Sequence, residues 1–239
     1  MRAYDPATDL VQPILVPRSG THLAMIRAVA AASLAAYLDA PAGGSVPTQA
    51  GPPEPWATWL DVAPAKTVRR VKAGAHLDQV RRWAVETGAD CAVRTLPQGD
   101  VIALAPMHYG EFPRRAAGAQ VSGLDYPREP DETSEPSEPG EPSENGPVHI
   151  AVMTEISTGK AAAQAAHALW HWALGSLATP AGASELREWA QAGMPMRITL
   201  VPGTELSQWA ARPGAAAPVH DAGRTEVAPH TLTAVAVAR

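Results

Sequence analysis

Short apolar runs and longer stretches of helical period alternate along the chain. In the first half, QPILV (12–16) predicts a strand and HLAMIRAVAAASLAAYL (22–38) a helix. PWATWL (55–60) predicts a second helix, KTVRRVK (66–72) a strand and HLDQVRRWAVETG (76–88) a third helix. CAVRTL (91–96) and DVIALAPM (100–107) predict two strands joined at the turn PQGD. In the second half, VHIAVMTE (148–155) predicts a buried strand. STGKAAAQAAHALWHWALGSL (157–177) predicts a helix capped by Ser157 or Thr158. ASELREWAQAG (183–193) predicts a helix with Ser184 as cap and Gly193 as terminator. PMRITLV (195–201) predicts a strand, and TELSQWAA (204–211) a short helix stopped by Pro213 and Gly214. PVHDAG (218–223) begins as a strand and then turns, and LTAVAVA (232–238) is a last strand.

Both halves therefore run β-α-α-β-α-β-β. The fold class expected is α/β: two small three-layer α/β sandwich domains, each a four-stranded mixed sheet covered by helices. The shared order suggests a tandem duplication in which residues 11–107 superpose on 148–239. An unrelated first domain with a coincidental order is the alternative. The domains are placed at 1–110 and 148–239, with 111–147 as a linker. Its core, YPREPDETSEPSEPGEPSENGP (126–147), has no apolar residue after Tyr126 and is expected to be a solvated, extended spacer.

Charge changes the picture only by its distribution. The net charge is −5, which speaks against a nucleic-acid partner. Residues 126–147, however, hold seven acidic residues and one Arg, whereas 1–125 hold 12 basic and 11 acidic residues and 148–239 hold 6 of each. The two domains are thus near neutral, and RNA remains a permitted partner. Hydrophobic residues make up 46% but aromatic ones only 5%, so packing must rely on close approach through Ala. The single cysteine, Cys91, excludes a disulfide within the chain and any cysteine-based metal site. The first ten residues carry Arg2, Asp5 and Asp9 and do not resemble a signal peptide. The longest mostly apolar run, Ala28 to Leu38, has 11 residues, too few for a membrane span. A cytoplasmic protein without a membrane partner is expected.

Two clusters carry candidate chemistry. Lys160, Gln164, His167 and His171 follow a 4, 3, 4 spacing and share one helix face, among alanines. Lys160 also lies in the first turn, where the helix dipole disfavours a cation. Spacing alone is equally compatible with an ordinary solvated face. The second cluster, DAGRT (221–225), is a turn before the last strand. Asp221 could orient a water and Thr225 could donate a hydrogen bond, although a plain Asx turn would look the same. Neither Lys160 nor Asp221 looks like a core position.

Together, MTEISTGKAAAQAAHA (153–168) and DAGRTEVAPHTLTAVAVA (221–238) resemble the archaeal- and eukaryotic-type peptidyl-tRNA hydrolase family. That family combines a G-K-x-x-x-Q-x-x-H-A helix with a D-A-G-x-T turn. The resemblance covers residues 148–239. It implies hydrolysis of the ester between a peptide and the 3′ end of tRNA, with no metal or cofactor. It also implies that Lys160, Gln164, Asp221 and Thr225 form the catalytic group, with Gly159, His167, Gly223 and Arg224 in contact with peptidyl-tRNA. Asp221 and Thr225 would activate a water, and Lys160 and Gln164 would stabilise the oxyanion. The stretch from Thr204 to Val219 is shorter than the family's third helix and its approach to the Asp. The first half lacks both motifs: laying Ala31 on His167 puts Ala24 at Lys160 and Ala28 at Gln164. It would be a catalytically empty copy, retained for an internal pseudo-dimer in a chain that is monomeric in solution, because the family usually works as dimers.

Other readings fail on residues. TEISTGKA (154–161) lacks the first Gly of a P-loop at Thr154 and has Ala161 where Ser or Thr must meet Mg²⁺. His167 and His171 could share a metal, but no third ligand is apparent. Trp59, Trp83, Trp172, Trp189 and Trp209 lie on amphipathic helices, which favours packing over base stacking. A tRNA- or protein-binding module that keeps the fold without the activity is the competing function.

Overall fold

The computed structural model describes Asp5, residues 8–39, Pro52, and residues 54–62, 64–128, 146–222 and 226–238. The linker expected at 126–147 lies outside them from 129 to 145. Contacts divide the chain into two compact units, Met1–Gly20 with Ala28–Leu124, and Thr21–Arg27 with Asp125–Arg239.

The first unit contains β1 (Val11–Val16), most of α1 (His22–Leu38), α2 (Trp56–Val62), β2 (Ala65–Arg70), α3 (Gly74–Thr87), β3 (Cys91–Leu96) and β4 (Gly99–Leu104). Its sheet order is β2-β1-β4-β3, with β1 parallel to β2 and the other pairs antiparallel. All six residues of β1 are buried, as expected for a central strand covered on both faces. On one face, Gln12 donates from Nε2 to the Ser33 carbonyl of α1 at 2.9 Å, and the Ser33 hydroxyl donates to Gln12 Oε1 at 2.6 Å. On the other, Val11, Leu15, Ile102 and Leu104 pack with Leu77, Val80 and Ala84 of α3.

Residues 111–124, expected within the linker, belong instead to this unit. A 3-10 turn (Tyr109–Glu111) and α4 (Arg114–Ala117) bring Phe112, Ala116 and Ala119 into the core beside α3. Buried Arg69 stacks on Tyr109 and Phe112 and donates to the carbonyls of Ala116 and Ala117. Phe112, Ala116 and Ala119 are spaced four and three apart, but Pro113 and Gly118 bound a helix of only four residues, too short for the repeat to stand out in the sequence.

The second unit contains β5 (Val148–Met153), α5 (Thr158–Leu177), α6 (Pro180–Gln191), β6 (Met196–Val201), α7 (Leu206–Ala210), β7 (Val219–His220) and β8 (Leu232–Ala238). Its order is β6-β5-β8-β7, with β5 parallel to β6 and antiparallel to β8, and β7 antiparallel to β8. Strand order and strand sense are therefore the same in the two sheets. Ala151, Val201, Val235 and Val237 pack with Leu206 and Trp209 of α7. Ile150, Val152, Ala234 and Ala236 alternate with them along β5 and β8 and are fully buried. They face the side covered by the long helix, whose Ala161, Ala162, Ala165, Ala166 and Ala168 are also fully buried. The small Ala side chains let helix and sheet approach closely.

One helix start is corrected. The cap of α6 is Thr179, whose hydroxyl accepts the Gly182 N–H at 3.1 Å, with Pro180 in the first turn. Ser184 lies inside the helix. Proline is tolerated at a helix start because its missing N–H has no partner there anyway. Its terminator is Gly193 as expected, with φ 90°.

Candidate active site

The site is built at the C-terminal end of β5, where the chain turns into α5. Ser157 caps the helix: its hydroxyl accepts the Lys160 N–H at 3.4 Å. Thr158 is the first helical residue and Gly159 the second, and Lys160 completes the first turn. One turn further on, Gln164 is buried among the alanines. His167 and His171 continue the same face, both half-buried.

The second element is the turn after β7. Asp221 donates its backbone N–H to the Thr231 carbonyl at 2.8 Å, and its own carbonyl accepts the His230 N–H at 2.7 Å. This pair closes the loop that joins β7 to β8 and holds Asp221 at its root. The Thr233 hydroxyl donates to the Val219 carbonyl beneath it. Ala222 follows Asp221. Gly223, Arg224 and Thr225 lie outside the described residues.

These two elements converge. The Lys160 ammonium forms an ion pair with Asp221 Oδ2, and Gln164 donates from Nε2 to the same oxygen at 2.7 Å. The Lys160 side chain is 14% exposed and that of Asp221 3%, so both are largely desolvated. The expectation that neither is a core position is corrected for Asp221, which is buried, whereas Lys160 is half-buried. A buried carboxylate is tolerated only when paired and hydrogen-bonded, and here an ammonium and an amide do both. The polar stripe read along the helix is thus not a solvated face at its first two members. His171 is used differently, with Nδ1 at 2.7 Å from the Ala217 carbonyl, which ties the helix to the segment leading into β7.

Three carboxylates around this site escaped the sequence pattern. Glu226 accepts both the backbone N–H and the hydroxyl of Ser157, at 2.7 and 2.6 Å, and so pins the Asp221 loop to the start of α5. Glu155 accepts the Gly203 N–H at 3.1 Å, joining the loop after β5 to the loop after β6. Asp125 accepts the Thr158 N–H at 3.3 Å. Each acts on a backbone far away in sequence, for which local spacing carries no signal. A carboxylate at a helix N-terminus is favourable in itself, because the unpaired N–H groups and the dipole both attract it. Among the described residues, no group of three His, Cys, Asp or Glu side chains is placed to hold a metal ion, and no helix is long and apolar enough to cross a membrane.

Residues 150–238 match the family model of peptidyl-tRNA hydrolase PTH2. The match runs from β5 to the end of β8 and contains both elements of the site. It supports peptidyl-tRNA hydrolase function, and with it a place in translation, at the level of the family. No curated protein matches the chain.

Proposed function

We propose that this segment of PTH2 type hydrolyses the ester bond of peptidyl-tRNA to free peptide and tRNA, with Lys160, Gln164, Asp221 and Thr225 as its catalytic group. The observation that carries the reading is the meeting of Lys160 and Gln164 on one oxygen of a buried Asp221. Ester hydrolysis by water needs a group that orients and deprotonates the water, and donors for the oxyanion of the tetrahedral intermediate. The Asp221 carboxylate suits the first task, supported by Thr225. Lys160 and Gln164 suit the second: an ammonium has three N–H donors and an amide two, while the carboxylate oxygen engages one of each. No side-chain nucleophile is required. Gly159, His167, Gly223 and Arg224 border this group in sequence and would contact the substrate.

The test is release of N-acetylated amino acid from N-acetyl-aminoacyl-tRNA by the purified protein. Hydrolysis that is lost in Asp221→Asn supports the reading. Binding of the tRNA without release would leave a binding module in its place. Catalysis would be cytoplasmic, where translation supplies the substrate.

A further inference from the structure

We propose that His22 and Asp125, both outside the family-matched segment, are positioning residues for this site, acting by fixing the first turn of α5 and with it Lys160. The proposal rests on the reading of Lys160 as a site residue. Thr158 is the point of attachment. It opens α5, is completely buried, and lies two residues before Lys160. Its hydroxyl oxygen is 2.8 Å from His22 Nδ1 and accepts the Tyr126 N–H at 3.1 Å. Its backbone N–H donates to Asp125 Oδ1. His22 is itself 2% exposed and is anchored through its backbone N–H to the Pro127 carbonyl at 2.9 Å. Arg128 donates to the Thr154 carbonyl at 2.8 Å, on the loop that feeds the helix. Residues Thr21–Arg27 and Asp125–Arg128 thus form a bracket within the second unit, joined to the helix start by directed hydrogen bonds.

The bracket has a physical task. Lys160 places a cation in a first turn whose dipole repels it, and an ammonium on a long side chain is only as well placed as its backbone. Asp125 on the Thr158 N–H and Glu226 on the Ser157 N–H put two carboxylates at that helix end and offset the unfavourable position. A catalytic donor must be held to within about 0.5 Å to be effective. The buried Thr158 hydroxyl, fixed by an imidazole and an amide, supplies that constraint at the backbone two residues upstream.

The experiment uses the full chain and four variants: Thr158→Val, which keeps the shape and removes the hydroxyl, Thr158→Ser, which restores it, His22→Ala, and Asp125→Asn as a surface change that spares the core. Steady-state hydrolysis of N-acetyl-aminoacyl-tRNA and hydrogen–deuterium exchange of the α5 first-turn amides are read together. A misplaced donor should lower kcat about tenfold in Thr158→Val and His22→Ala with KM within about twofold, since misplacement by 1 Å can cost about 10²-fold. Thr158→Ser should recover most of the rate, Asp125→Asn should lose less than the two buried changes, and the double variant His22→Ala/Thr158→Val should lose no more than either single one. First-turn exchange should quicken in every variant with a lowered kcat. Wild-type kcat in folded Thr158→Val, or a lowered kcat with unchanged exchange, would overturn the proposal. If Thr158→Val and His22→Ala do not fold, unchanged kcat and exchange in Asp125→Ala, which removes the acceptor that Asn would keep, overturn it. Should the wild-type chain release nothing, the hydrolase reading fails, and the exchange data alone then decide whether the bracket holds the turn.

Discussion

Asp221 places a charge out of water and half-buried Lys160 pairs with it, so the stability of each depends on the other. A carboxylate whose partner is removed remains buried and uncompensated, which costs about 3 kcal/mol or more, although a buried pair replaced as a whole is often neutral. Lys160→Ala should therefore lower unfolding stability by about that amount, and Lys160→Met/Asp221→Asn should recover most of it; denaturant unfolding checks both. Equal stability of Lys160→Ala and wild type would show that the pair is solvated after all. For the reaction, Asp221→Asn retains the shape and should lower turnover by about 10²-fold, the usual scale for a positioned base. Lys160→Arg keeps the charge but not the compact ammonium, so a rate near wild type would remove the geometric requirement on Lys160.

The start of α5 is where separate elements are brought into register. Glu226 of the Asp221 loop accepts two hydrogen bonds from Ser157, and α5 begins there. Removing it in Glu226→Ala should cost about 1 kcal/mol, the scale of a lost helix cap, and Glu226→Gln should lose only part of that because its carbonyl can still accept. Thermal unfolding distinguishes the three proteins, and identical midpoints would show that Ser157 caps the helix unaided. The junction between α5 and α6 gives an opposite sign to ordinary helix preference. Gly182 lies in the first turn of α6, and a Cβ there would stand 2.4 Å from the Ser176 carbonyl. Ala is preferred to Gly in a helix by about 1 kcal/mol, but a clash with backbone cannot be relieved by a rotamer change. Gly182→Ala should therefore destabilise by about 1–3 kcal/mol, the cost of overpacking. A stabilised variant would show that the two helices can move apart.

At the level of the whole molecule, charge and duplication set the expectations. The acidic excess lies in residues 126–147, and residues 148–239 are balanced, with 6 basic and 6 acidic residues. Each neutralised phosphate makes binding fall about threefold when salt rises fourfold. With so little net positive charge, KM for peptidyl-tRNA should rise less than about tenfold between about 50 and about 200 mM salt. A much steeper dependence would place a basic surface on the substrate path. Two sheets with one strand order and one set of strand senses support the proposal of a duplication. The accompanying proposal of a monomer is checked by light scattering, where a stable dimer mass would reject it.

The periodicity of the sequence determined most elements of both sheets, because burial on a strand or a helix face imposes a repeat that is visible locally. His22–Leu38 and Cys91–Leu96 match their expected bounds, and Thr158–Leu177 follows Ser157, one of the two caps expected. The motif residues Lys160, Gln164 and Asp221 could be named as candidates from the sequence through the resemblance that their two motifs carry, since spacing alone left a solvated face and an Asx turn open. Their meeting on one oxygen could not be read there, because it depends on how the β7–β8 turn is placed beside α5. The same holds for Glu226, Asp125 and His22, whose partners lie 69, 33 and 136 positions away. A hydrogen bond between distant segments needs only one donor and one acceptor and leaves no pattern in either segment. The short anchors Phe112 and Ala116 were missed for another reason: Pro113 and Gly118 bound a helix of only four residues, too short for its apolar repeat to be read. Local order was written in the repeat of apolar residues; the site was decided by which ends of those elements the tertiary fold brings together.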